Sequence, residues 1–383
     1  MNNYSIIMLG SSGSGKTVFL SSLYKRLSTQ SELGFFLQVD TAEKRKRLNN
    51  IYTQVAADEK WPAGTRYSEV SEWTFTCRVQ NPNDLSIYDA CSFTYLDYAG
   101  GRITEEADEE DESSEFNDKF KTADALLGLL DGQKLCSLMK NEKIGKVWAI
   151  KDLSNMIQEM QKMEGLKKPV HFVISKWDIV EQSYSLGQIR DRLLEIDEFK
   201  NLIKLRNQAK STVRLIPVSA VGKGFAIAQS DGGMKKTGEL PKPFQVEVPL
   251  ACILPDMIKQ QIEEILKKRE ADQAKNIEVK PDIDFFDWLG QLFAGGLKTV
   301  QDLLPRKYRF ADDVLKTLID WAETPAIQKV AFAARRTEEL RKEQAESLIK
   351  VANEESALAH SVNCFVSIQN QLSYRFPASE LTI

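Results

Sequence analysis

Residues 10–17 read GSSGSGKT, a G-x-x-x-x-G-K-T pattern set between an apolar run, Tyr4–Leu9, and a helical period that begins at Thr17. Glycines let such a loop wrap so that backbone N–H groups face the α and β phosphates of a nucleotide. The helix N-terminus adds its partial positive charge. Gly13, Ser14 and Gly15 would form the wrap, with Val18 in the first helical turn. Lys16 would reach the β and γ phosphates, and the Thr17 hydroxyl would ligate magnesium.

Two carboxylates stand where such a ligand needs them. In SFTYLDYAGGR, residues 92–102, an apolar run ends on Asp97. Open α/β sheets bind ligands at the carboxyl ends of their strands. There Asp97 can hold a magnesium-bound water, and the backbone N–H of Gly100 can meet a γ phosphate. SKWD, residues 175–178, follows another buried run. The Asp178 carboxylate would accept from the N1–H and exocyclic amine of guanine, a donor pair that adenine lacks. The stem of Lys176 would lie along the purine face, and Ser175 would tie this loop to the phosphate loop. SAVG, residues 219–222, follows the next strand-like run. It supplies Ser219 and Ala220, the latter offering its N–H to the guanine carbonyl.

In this order the four elements resemble those of the Ras-like and translation-factor group of P-loop GTPases, over about residues 4–222 and the following helix. The long connection before Trp73, together with LDYAGG, looks more like large bacterial relatives, including the double-GTPase group, than like minimal small GTPases. The resemblance implies GTP and GDP as bound nucleotides, magnesium as the metal and GTP hydrolysis as the activity. It departs from the family at Ser175, where Asn or Thr is usual; serine keeps the hydroxyl, so guanine preference is expected with a weaker tether. The resemblance also implies a first-switch threonine before the Trp73 strand. Thr65 in WPAGTRY is the choice, completing a metal set of Thr17, Thr65 and Asp97, because Thr41 and Thr53 fall at the start of, or inside, a predicted helix.

Lys16, Thr65 and Gly100 are then the residues expected at the γ phosphate. In Ras-like enzymes a Gln after D-x-x-G orients the attacking water; here that position is Gly101, which has no side chain to do so. The expectation is a switch protein with slow intrinsic hydrolysis, its water positioned by a partner or another loop. Arg66 and Arg102 are candidates for charge stabilisation. The alternative is a non-hydrolysing nucleotide-dependent scaffold. An ATP-dependent kinase or ATPase is a third reading, disfavoured because no LSGGQ-like signature is present and the segment after Asp97 is acidic, not rich in arginine.

The elements that must position these residues alternate between strand and helix. Strand-like runs at FFLQVD, Trp73–Val79, Cys91–Leu96, Ala123–Leu130, Val170–Ile174 and Val213–Val218 are separated by helical periods, notably Val147–Met163 and Leu186–Leu205. This predicts an α/β fold of the P-loop GTPase kind, with a mostly parallel sheet flanked by helices and an appended C-terminal all-helical region. The GTPase domain is drawn over residues 1–275, with an extended first-switch region at 31–72 and an acidic insert at 105–115. In that insert eight of eleven residues are Asp or Glu, so folding it over a triphosphate would cost like-charge repulsion, and an extended, solvated chain is expected over docking of a basic partner. Gly222–Pro249 reads as an extended loop. The helical region covers 276–383: an amphipathic stretch at 283–304, then a long helix from Pro325 toward about residue 370.

Composition narrows the field. A net charge of −4 argues against a nucleic-acid partner, and two histidines, His171 and His360, leave little scope for histidine-based catalysis. His171 opens an apolar strand and is expected to be a packing residue. Five scattered cysteines without zinc spacing predict reduced thiols in a cytoplasmic protein. No signal peptide or spanning helix is expected, and membrane binding is disfavoured because the polar face of residues 283–304 carries aspartates. Protein partners are expected at the switch regions or the C-terminal helices.

Overall fold

Strand β1 (Asn2–Leu9) sorts its side chains by the two-residue period of a strand. Tyr4, Ile6 and Met8 enter one hydrophobic core, whereas Ile7 and Leu9 enter another on the opposite face. That double burial makes β1 the middle strand of a seven-stranded sheet. The computed structural model describes residues 1–62, 70–98, 114–162, 168–229, 233–274 and 341–383.

The strands are β2 (Phe36–Val39), β3 (Val70–Gln80), β4 (Ile87–Tyr98), β5 (Ala125–Asp131), β6 (Val170–Ser175) and β7 (Val213–Pro217), in the order β2-β3-β4-β1-β5-β6-β7. The segment from β4 through β1 to β7 is parallel, and β2 and β3 add an antiparallel edge. One core packs helix α1 (Lys16–Leu27), the helix Val248–Ala274 and the helix Glu354–Arg375 against the sheet. The other packs the helices within residues 114–162 and 186–208. The fold is the expected α/β sheet flanked by helices.

Several elements differ from the sequence reading. The segment 222–249 contains a hairpin, β8 (Ala226–Ala228) against β9 (Met234–Lys236), and Phe244 returns to bridge Ser219. The helical run predicted from Val147 starts at Lys143 and loosens into a π-turn over Ala149–Leu153 before resuming at Ser154. The helix expected to run unbroken toward residue 370 is interrupted at 349–353. Val351 is buried there and its carbonyl accepts from Asn81 Nδ2 at 2.8 Å. Asn353 then starts a new helix, its side chain accepting from the Ser356 N–H in a capping box. A capping asparagine and an inward valine outweigh the propensity of the charged residues before them.

That last helix is part of the same core as the nucleotide motifs. Phe365 meets Phe35 and Phe93 edge-on, with ring centroids 5.1 and 6.0 Å apart. The tail then returns to β7, where Leu381 N–H donates to the Val213 carbonyl at 2.9 Å. The boundary drawn at residue 275 falls where the described residues end; the amphipathic stretch 283–304 and Pro325 lie outside them.

The charged core of this side is Asp256, which is fully buried. Arg214 of β7 donates to both of its oxygens at 2.6 Å, His171 Nε2 of β6 lies 2.9 Å away, and Gln369 of the last helix donates at 2.8 Å. His171 is therefore packed, as expected, but as part of an ionic cluster. Burial alone would raise the Asp256 pKa; the Arg214 charge and these hydrogen bonds override it and hold the carboxyl well below the usual range. A depressed folded pKa stabilises the fold above the unfolded value, near pH 4, and that contribution is lost as pH falls below it. Asp256→Asn removes the buried carboxylate that matches Arg214 and leaves the longer contact to Glu380 at 3.9 Å. We expect it to cost about 3–5 kcal/mol in urea unfolding at pH 7. The difference from the unsubstituted protein should shrink progressively below pH 4.

Candidate functional site

The loop Gly10–Thr17 joins β1 to α1. Gly13 and Gly15 have φ of +78° and +91°, a left-handed conformation, and a Cβ on either would meet no atom within 4 Å. The backbone path, not lack of space, calls for glycine here. Gly15 caps α1 with no side-chain acceptor, and the first turn holds no acidic residue. The helix thus presents first-turn N–H groups and a partial positive charge that no side chain neutralises, an anion site by construction. Lys16 is buried and its Nζ donates to the Gly10 carbonyl at 2.6 Å; burial lowers its pKa, with Asp97 opposing the shift.

Parallel pairing of β1 with β4 sets Asp97 beside Met8, at the strand ends next to the phosphate loop. The carboxyl is 1% exposed, and burial pushes its pKa up to about 6 against the pull of Lys16, Arg47 and a hydrogen bond from Thr17. Its Oδ1 has no hydrogen-bond partner among the described residues. A buried carboxylate oxygen with spare capacity beside a threonine hydroxyl is a hard-oxygen donor set, which fits magnesium.

At the other end, Asp178 is buried and accepts from Ser219 Oγ at 2.6 Å, while the Gly222 N–H donates to that same hydroxyl at 2.7 Å. Burial raises the Asp178 pKa and the Ser219 bond opposes it. Lys176 takes a left-handed φ of +54°, uncommon for a residue with a Cβ. Its Nζ bonds Asp131 Oδ2 at 2.7 Å and Gln133 Oε1 at 3.0 Å.

Ser175 does not tie this loop to the phosphate loop. Its Oγ–H donates to the Leu130 carbonyl at 3.1 Å. The sheet order explains the correction: Ser175 stands in register with Asp131 of β5, whereas the phosphate loop follows β1, one strand further away. The loop is anchored through β5 instead. Gly132 lies directly beneath it, where a Cβ would come within 2.4 Å of the Ser175 carbonyl.

A cavity of about 370 Å³ joins these elements. Gly13, Ser14, Gly15, Lys16, Thr17, Val18, Ser175, Lys176, Asp178, Ser219 and Ala220 all line it, the full set predicted for a nucleotide. Thr65, Arg66, Gly100, Gly101, Arg102 and residues 105–113 lie outside the described residues. Among the wall residues outside that set are Trp61, Pro62 and Met234, which come from segments given no nucleotide contact by the sequence reading. The sequence held one signal for them, an aromatic four positions before Thr65, which reads as part of a turn.

A family model described as Double-GTPase 2 matches residues 5–232, from β1 to the hairpin. The chain belongs to the Double-GTPase 2 family. No curated protein matches it. Membership makes this a GTP-binding protein and accounts for the order of its four motifs. No helix among the described residues is long and apolar enough to cross a membrane.

Gly132 tests the anchoring of the 175–178 loop in this Double-GTPase 2 member without touching any ligand. Gly132→Ala should displace the Ser175 carbonyl and weaken GDP binding at least tenfold in calorimetric titration. Gly187→Ala, where the nearest atom to a Cβ is 3.9 Å away, should leave affinity unchanged within twofold.

Proposed function

We propose that the chain is a guanine-nucleotide switch that hydrolyses GTP slowly by itself and faster with a partner. The observation that carries this reading is the Asp178–Ser219–Gly222 chain of hydrogen bonds. It fixes a buried carboxylate in the cavity that also holds the phosphate loop, at the end remote from Lys16. A carboxylate there accepts from guanine and repels the lone pair that adenine presents at N1.

In this reading the loop N–H groups and Lys16 bind the α, β and γ phosphates, and Thr17 and Asp97 hold magnesium, with Thr65 joining them. The metal, when bound, neutralises charge on the β and γ oxygens. Lys16 orients the γ phosphate and stabilises charge that develops as its bond to the β phosphate lengthens. The Gly100 N–H contacts the same phosphate. Gly101 cannot align a water, so the intrinsic barrier stays high until another group supplies that alignment. The helix Glu354–Arg375 offers little as a docking element, because its apolar face is already covered by the sheet. Partner binding is assigned to the switch segments around Thr65 and after Asp97, or to the amphipathic stretch 283–304.

Competition binding of GDP, GTP and ATP to the magnesium-loaded protein should show guanine preferred by at least a hundredfold. Asp178→Asn, which reverses the hydrogen-bond demand, should lose GDP and gain xanthosine diphosphate. Equal ATP affinity would return the kinase or ATPase reading.

Single-turnover hydrolysis on the isolated protein should run below about 10⁻² s⁻¹, the range of unassisted switch GTPases. A rate of seconds would overturn slow hydrolysis, and no phosphate release with or without partners would favour the non-hydrolysing scaffold.

A further inference from the structure

Helix α2 (Ala42–Ala57) ends without a basic residue in its last turn. Its terminal carbonyls carry partial negative charge and need donors. They are met by a residue from far along the chain. Lys236 of β9 donates from Nζ to the carbonyls of Gln54 at 2.8 Å, Asp58 at 2.6 Å and Lys60 at 3.2 Å. An ammonium has three donors, so this geometry saturates it.

The same strand holds Trp61. Its indole N–H donates to the Met234 carbonyl at 2.7 Å, and the Lys236 ammonium sits 4.9 Å from the centroid of its ring. Phe225 meets the ring edge-on at 5.9 Å. Val55, Val221, Phe225 and Ala226 form a small buried cluster against which Val18, Trp61 and Met234 pack. That cluster joins three things: the first turn of α1, the loop after Ala220, and the segment that leads toward Thr65. Trp61 and Met234 also face the nucleotide cavity.

We infer that the hairpin β8–β9 is a clasp that retains bound nucleotide, with Trp61 touching the base–ribose part of the ligand and Lys236 acting as the positioning residue that holds Trp61 in place. This rests on the guanine-nucleotide reading above. Trp61 packs on the same cluster as Val18, a cluster that includes Val221, and it lines the cavity. This puts it between the phosphate-binding and base-binding elements, where the sugar and the edge of the base would lie. A departing ligand must give up its contact with Trp61, which the Met234 carbonyl and Lys236 hold in place against it. The clasp acts on departure more than on recognition, because Asp178 does not belong to it. It also couples the base loop to the first-switch segment, through Lys236 and through the Trp61 contacts with Met234 and Phe225.

The test is stopped-flow release of a fluorescent GDP analogue from the full chain, with association measured in parallel. Lys236→Met should raise the dissociation rate at least tenfold, leave the association rate within threefold, and keep the preference for GDP over ADP. Lys236→Arg, which keeps charge and donors, should restore most of the slow release. Trp61→Phe removes only the indole N–H and part of the ring, and should accelerate release by about threefold or more; it provides the test if Lys236→Met does not fold. Release at the unsubstituted rate from a folded Lys236→Met or Trp61→Phe protein overturns the clasp while leaving the guanine reading intact. Failure of the unsubstituted protein to bind GDP overturns both.

Discussion

A carboxylate removed from water is tolerated only when its charge is matched, and Asp256 shows how far that requirement reaches. Its partners come from β6, β7 and the last helix, and Asp256 itself sits on the helix Val248–Ala274. Satisfying one buried charge therefore fixes the relative position of two strands and two helices. Lys259 and Glu380 extend the ionic chain toward the tail at 3.7 Å, and Glu380 also bridges to Arg214 along β7. The strands thus pinned carry SKWD and SAVG at their ends. Alignment of the loops proposed to bind the base depends on a charge cluster on the strands that carry them.

The two ends of the cavity are built on different physics. At the phosphate end, left-handed glycines and an uncapped helix supply backbone donors, and nearly everything is local to residues 10–19. At the other end, Asp178 is placed by burial and by a hydroxyl from a loop 41 residues later, while Lys176 leans on the end of β5. The first arrangement survives wherever its short motif is set between a strand and a helix. The second exists only when β5, β6 and β7 are in register.

This difference governs how much could be read from the sequence. The placement of the loop Gly10–Thr17, Asp97, Asp178 and Ser219 at or just beyond strand ends was legible because each lies in a short motif, and strand ends are readable from apolar runs. The sheet was legible for the same reason. The anchoring of Ser175 was not: its partner depends on strand order, which no local pattern encodes. Lys236 and Trp61 were hidden for a related reason, since they are 175 positions apart and meet only through the hairpin. The packing partner of the last helix was hidden because its apolar face resembles that of any amphipathic helix. Only the sheet face formed by Phe35 and Phe93 shows what it covers.

The return of the tail to β7 has a bearing on how the protein is made. The nucleotide motifs are complete by residue 222, yet the core beneath them needs Phe365, and β7 receives the Leu381 N–H last. At ordinary translation speeds the ribosome needs on the order of ten seconds to travel that distance. During that interval the antiparallel half of the sheet has an uncovered apolar face, which invites aggregation or chaperone capture. Emergence of the helix Glu354–Arg375 is thus what covers that apolar face.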